Sequence, residues 1–147
     1  MYTTVLVIHS WVRWIALVAG VGTTFAAIRR QDATAERWAL VTMMTLDIQL
    51  LLGLLLYLVV SPNMQQILAN FGAAMKDPTA RFWAVEHISA MLLAVVFAHV
   101  GRVLARKAAT ADKKRARLLT WFGLATVLTM IGMPWPGRAG GRPLFRV

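Results

Sequence analysis

The sequence predicts an all-α integral membrane protein, a four-helix bundle that forms a single transmembrane domain over residues 1–147. Hydrophobic residues make up 59% of the chain, which is more than a soluble domain of this size can bury. They come in runs of roughly 20 residues, the length that crosses a bilayer as a helix. The basic residues behind the formal net charge of +10 lie in the gaps between these runs. This pattern is typical of a multi-pass protein whose main partner is the lipid bilayer.

Four transmembrane helices are predicted, at about 5–28, 38–60, 82–104 and 118–133. Helix is the only suitable assignment, because isolated strands leave backbone groups unsatisfied in lipid. Arg29 closes the first run, and Pro62 disfavours helix at the residue before it, so the second run ends there. Asp77 or Thr79 is a candidate N-cap before the third run, and Pro134 ends the fourth.

The positive-inside rule sets the orientation. The gap at 29–37 and the loop at 105–117 are rich in Arg and Lys, so we expect both in the cytoplasm and both termini on the outer side. The loop at 61–81 has an amphipathic pattern and is expected to lie along the outer interface. The tail contributes three arginines that this orientation places outside: Arg138, Arg142 and Arg146.

Composition excludes several kinds of chemistry. The chain has no cysteine, so disulfides, thiolate catalysis, iron–sulfur clusters and covalent c-type haem are ruled out. No aromatic residues are interleaved with the basic residues at 106–117, so nucleic acid is not expected as a partner. No nucleophile constellation is present, and the sequence leaves open whether the protein is an enzyme.

His9 and His87 are the main candidate site. Each lies a few residues inside the predicted outer end of its helix, so their depths match to within about one helical turn. Each also heads a helix face of mostly small residues, where Arg13 lies one turn below His9. The faces comprise Arg13, Ala16, Gly20, Thr23 and Ala27 on helix one, and Ala90, Met91, Ala94, Ala98 and Gly101 on helix three.

Two interpretations of this pair stay open at the level of sequence. In one, His9 and His87 ligate the iron of a haem, and Arg13 pairs with a propionate. In the other, the small residues only let helices pack closely, and the histidines are hydrogen-bonded or hydrated near the interface.

Asp47 lies deep in the second helix and is a second candidate. Placing a charge there costs at least ~2.5–3.5 kcal/mol, so we expect Asp47 to face the bundle and to have a partner. His99 is the obvious one, and Arg102 is another. The pair would act as a proton relay, as part of a second site, or as a structural hydrogen bond. His99 lies about 120° round the helix from His87, so the two cannot bind the same metal ion.

The chain resembles small bacterial four-helix membrane proteins catalogued as cytochrome b-like. The resemblance runs along nearly the whole chain, through HSWVRW at 9–14, DIQLLLG at 47–53, RFWAVEH at 81–87, HVGR at 99–102 and PWP at 134–136. It implies haem b in the bundle and electron transfer in the bacterial inner membrane. Carried over residue by residue, it implies one bis-histidine haem held by His9 and His87.

The leading hypothesis is therefore a membrane b-type cytochrome that carries electrons from a quinol to an acceptor near the outer face. The alternatives are a cofactor-free accessory subunit of a larger respiratory or transport complex and a proton pathway centred on Asp47.

Overall fold

The computed structural model describes residues 1–145, and this range is helical without any β-strand. Arg146, one of the predicted outer arginines, lies outside it, as does Val147. The α-helices of the described range are α1 (Tyr2–Ile28), α2 (Asp32–Leu55), α3 (Pro62–Ala69), α4 (Phe71–Ala74), α5 (Pro78–Arg81), α6 (His87–Arg106) and α7 (Ala111–Gly132). A π-helical turn, Leu56–Val60, extends α2, and another, Phe82–Glu86, joins α5 to α6.

Three continuous helices are long and apolar enough to cross a membrane: Tyr2–Ile28, Asp32–Val60 and Pro78–Arg106. The all-helical prediction is confirmed, and so is the length and apolar character of three predicted spans. The fourth predicted span lies in α7, which packs beside the other three but begins with a charged segment, Asp112 to Arg117. Over its length α7 is not as apolar as the other three helices, so its crossing of the membrane stays a prediction.

The predicted basic loop at 105–117 is wrong in its bounds, because only residues 107–110 separate α6 from α7. The Thr110 side chain accepts a hydrogen bond from the backbone N–H of Lys113 at 3.3 Å and caps α7. Further on, Arg115 donates to both carboxylate oxygens of Asp32, at 3.0 and 2.9 Å. The hydrogen bond to Asp32 raises the pKa of Arg115. These contacts allow a basic segment to be helical.

Three short helices occupy the predicted interfacial loop at 61–81. The Ser61 side chain caps α3, and Asp77 caps α5 by accepting from the backbone N–H of Ala80 at 2.6 Å. The N-cap predicted at Asp77 is therefore present. α3 packs against both π-helical turns and so closes one side of the bundle end that carries the two candidate histidines.

The four long helices form a ring in the order α1, α2, α6, α7, in which α7 returns to α1. In this ring α1 and α6 are diagonal, so residues that both helices turn inward meet at the bundle centre. The small-residue faces of α1 and α6 are buried as expected, but they pack mainly on neighbouring helices. Gly20 of α1 contacts Thr126 of α7, and Gly101 of α6 contacts Trp121 of α7.

Adding one methyl group separates the packing role of glycine from its helix propensity. In Gly101→Ala the new Cβ would overlap Trp121, so we expect a loss of about 1–3 kcal/mol in unfolding free energy. In Gly123→Ala on α7 no atom lies within 4 Å of the new Cβ, so stability should be unchanged or slightly higher. Thermal unfolding in detergent, followed by circular dichroism, compares the two. Equal stability of both variants would contradict this packing.

Candidate functional site

The structure brings His9 and His87 together. Their ring centres are 6.4 Å apart and the rings are inclined at 71° to each other. His9 comes from α1 and His87 begins α6, so the diagonal pair of helices supplies one imidazole each. The equal depth predicted from the sequence thus corresponds to direct proximity across the bundle centre.

His87 is held in one tautomer by a backbone carbonyl. Its Nδ1–H donates to the carbonyl oxygen of Gly132, at the end of α7, at 2.7 Å. A hydrogen bond of this kind leaves the lone pair on Nε2 available, and it commonly orients metal-binding histidines. The rings of Phe82 and Trp83, in the π-helical turn just before His87, lie 5.9 and 5.4 Å from the imidazole. They fix its orientation further.

His9 is held by Gln49 of α2, a residue for which the sequence suggested no role. The amide Nε2 of Gln49 donates to the backbone oxygen of His9 at 2.9 Å and lies 3.2 Å from His9 Nε2. Because the amide is a donor, His9 Nε2 accepts and the proton is on Nδ1. That Nδ1 is buried and has no hydrogen-bond partner among residues 1–145. Gly53 lies beside the His9 ring. A Cβ at this position would be only 3.3 Å from His9 Cε1, so a larger residue would press on the imidazole.

A cavity opens around the two histidines. His9 Nδ1, Gln49 Oε1 and Trp83 Nε1 all belong to lining residues, and each of these atoms is buried without a partner within residues 1–145. Leaving a buried polar atom unsatisfied costs about 1–3 kcal/mol. A site that retains several such atoms beside an apolar wall has the character of a ligand pocket.

The spacing of the two imidazoles suits a single metal ion between them. Two metal–nitrogen bonds of about 2 Å each, plus about 1.1 Å from each nitrogen to its ring centre, place the ring centres about 6.2 Å apart when both nitrogens point at the ion. The observed 6.4 Å agrees with that value. His87 Nε2 is ready to act as a ligand, whereas His9 must release Nε2 from Gln49 or lose the proton from Nδ1. Within residues 1–145 no group of three or more potential metal ligands from His, Cys, Asp and Glu occurs. A pair of imidazoles is the axial ligand set of a bis-histidine haem.

The size of the cavity sets a further condition. The recess contains about 970 Å³ of space between atoms when its open mouth is counted, and the centre of a water molecule can reach about 100 Å³ of it. By the second measure it is smaller than the ~150 Å³ apolar cavity that holds benzene. The two imidazoles match the axial ligands of a bis-histidine haem, but the cavity as it stands is too small for the macrocycle, which would require side chains at the mouth to move outward.

The C-terminal tail forms part of that mouth. Arg13, the predicted propionate partner, lines the cavity and is only 8% exposed, and its Nη2 donates to the backbone oxygen of Leu144 at 2.6 Å. Trp14 Nε1 donates to the same oxygen at 3.1 Å, and its ring stacks on Phe145. The Arg142 guanidinium lies 5.5 Å from the centre of the Trp83 ring. Arg13 is thus beside His9, as expected, and binds the tail.

The two π-helical turns lie next to the histidines and are linked by a hydrogen bond. The Tyr57 hydroxyl in the first turn donates to the carbonyl oxygen of Ala84 in the second, at 2.7 Å. A π-helical turn contains one more residue than an α-helical turn and is common at functional sites. The hydrogen bond ties the C-terminal end of the Asp32–Val60 helix to the start of α6, where His87 lies.

Asp47 and His99 form the predicted pair, but not in the predicted place. Asp47 Oδ1 and His99 Nε2 are 2.8 Å apart, while Arg102 donates to the backbone oxygen of Glu36 instead. The side chains are 39% and 48% exposed, respectively. The expectation that Asp47 faces the bundle interior is therefore wrong, because Gln49 takes the inward position on α2 and Asp47 lies at the outer junction of α2 and α6.

No protein-family model, curated protein or solved structure matches the chain. The class that fold and site define is a small helical protein with membrane-length apolar helices and a histidine-lined cavity near one end of the bundle.

Proposed function

We propose that the protein is a membrane b-type cytochrome that holds one haem through His9 and His87. The observation that carries the proposal is the 6.4 Å separation of two imidazoles from diagonal helices. The hydrogen bond from His87 to Gly132 supports it, because it presents Nε2 as a ligand. His99 is hydrogen-bonded to Asp47 on the lipid-facing side of the bundle. Of the three histidines, His9 and His87 are therefore the two that would serve as axial ligands, which is enough for one haem and not for two.

Bound haem would supply reversible one-electron chemistry, and the chain would set its environment. Gly132 and Gln49 orient the two imidazoles. The surrounding apolar helices would limit the contact between the iron and water. This would favour the ferrous state, which carries less charge than the ferric state. The proposed role is electron transfer from a quinol to an acceptor near the outer face, as the resemblance to cytochrome b-like proteins implies.

The second candidate function is a cofactor-free accessory subunit of a larger membrane complex. One observation favours it: Gly20 and Gly101 are already packed against α7, so the small-residue faces are explained without a cofactor. A proton pathway centred on Asp47 has less support, because Asp47 lies outside the bundle and away from the cavity.

We also propose four membrane crossings in the bacterial inner membrane, with both termini outside. The support is the pairing of α7 with α1 and α6 in the bundle together with the basic residues at one end of the long helices.

Cysteine accessibility tests this topology without background, since the chain has no cysteine. Thr3→Cys and Ala139→Cys should react with a membrane-impermeant maleimide in spheroplasts, and Ala109→Cys only after lysis. All three positions are exposed. A tail cysteine labelled only after lysis, together with Thr3→Cys labelled in spheroplasts, would show that α7 does not cross.

The haem proposal is tested by absorption spectra of the protein extracted from membranes. The wild type should show a Soret band and the sharp reduced α-band of a six-coordinate b-type haem. His9→Ala and His87→Ala should each lose most of the pigment, because each removes an axial ligand.

His99→Ala is the matched control, since it removes the one other histidine and leaves the cavity intact. It should keep the spectrum of the wild type. Absence of a Soret band in wild type, or equal pigment in all three variants, would rule out ligation by His9 and His87 and leave the accessory-subunit hypothesis.

A further inference from the structure

Asp47 and His99 form a polar pair that faces out of the bundle from an otherwise apolar helix surface. Asp47 lies within about one residue of the centre of the Asp32–Val60 helix, roughly 22 Å from its first residue. His99 lies seven residues from the centre of the Pro78–Arg106 helix, roughly 10 Å along it, so the pair falls within the proposed hydrocarbon region, where exposed polar groups are unfavourable. Yet the side chains of Asp47 and His99 keep 39% and 48% of their surface exposed.

The pair satisfies only half of its hydrogen-bonding capacity. Asp47 Oδ1 accepts from His99 Nε2, and across residues 1–145 no other hydrogen bond to either side chain is present. When His99 carries a proton on both ring nitrogens, as an ion pair with Asp47 requires, its Nδ1–H remains as a free donor and the second carboxylate oxygen of Asp47 remains as a free acceptor. An identical pair supplies the matching groups, so the arrangement is complementary to itself.

The residues around the pair form an apolar surface, here called the α2–α6 face. One turn before and one turn after the polar residue, both helices expose large apolar side chains. These are Met44 and Leu51 on α2, and Val96 and Val103 on α6, with exposures of 53%, 68%, 50% and 50%. The two helices therefore present exposed apolar side chains at matching positions on both sides of Asp47 and His99.

We propose that the α2–α6 face binds a second copy of this chain about a two-fold axis along the membrane normal. Such an axis keeps both copies at the same depth and places α2 of one opposite α6 of the other. Asp47 of each copy then faces His99 of the other, and the four groups form a network that lipid no longer contacts. Hydrogen bonds between polar side chains are a common source of helix association in membranes.

Cross-linking in native membranes tests the proposal without reference to any pigment, so its outcome is independent of haem binding. Met44→Cys and Val96→Cys place a single thiol on the α2–α6 face. Val18→Cys on α1 and Val127→Cys on α7 are matched controls, with exposures of 59% and 51%. With a short bifunctional maleimide, the first two should give a species of twice the 16.3 kDa chain mass, and the controls at least about fivefold less.

A second variant tests the role of the polar pair itself. Replacing both residues, Asp47→Leu with His99→Leu, leaves no unpaired polar group behind, so the fold should be retained and checked by monodisperse elution. In the Met44→Cys background this variant should lose most of the cross-linked dimer.

Three results would overturn the proposal. One is cross-linking that is absent or equal on all faces, which would make the α2–α6 face a lipid surface. Another is an adduct with a different protein in place of the dimer. The third is a dimer that persists undiminished when the pair is replaced by leucine.

Discussion

Close packing of α7 against both α1 and α6 is the contact on which the site depends. Gly20 and Gly101 let the Thr126 and Trp121 side chains of α7 approach the backbones of the two diagonal helices. Without a hydrophobic driving force in lipid, such close van der Waals contact is a main source of helix association. It also places Gly132, at the far end of α7, where its carbonyl binds His87. One helix thus closes the bundle and orients a proposed ligand.

The bundle end around the histidines differs from the rest of the fold in the hydrogen bonding of its buried polar atoms. Through most of the bundle, buried threonines bond to carbonyls of their own helix, as Thr126 does with Phe122. Around the cavity, Gln49 Oε1 and Trp83 Nε1 are buried without a hydrogen-bond partner in the part of the chain that the structure describes. Two π-helical turns and a tail bound by Arg13 surround the same place. Local irregularity and unsatisfied polar atoms therefore coincide where the two imidazoles meet, as is usual for a functional site.

The sequence predicted the helical class and the meeting of His9 and His87, because apolar run length and helical depth are local properties. It placed Asp47 wrongly. Asp47 and Gln49 are about 200° apart on α2, so only one can face inward, and charge alone suggested Asp47. The buried positions Ala35, Ala39, Thr42, Leu46 and Gln49 follow a 4-3-4-3 spacing that selects Gln49. The contacts of Gln49, Gly132 and the tail join segments far apart in sequence, and no local pattern encodes them.

The central claim is that His9 and His87 hold one iron between them. Electron paramagnetic resonance of the oxidised, purified protein, combined with a haem-to-chain ratio, tests it most directly. We expect about one haem per chain and the low-spin ferric signal of an iron with two axial imidazoles. A high-spin signal, or a protein that neither retains nor takes up haem, would contradict it.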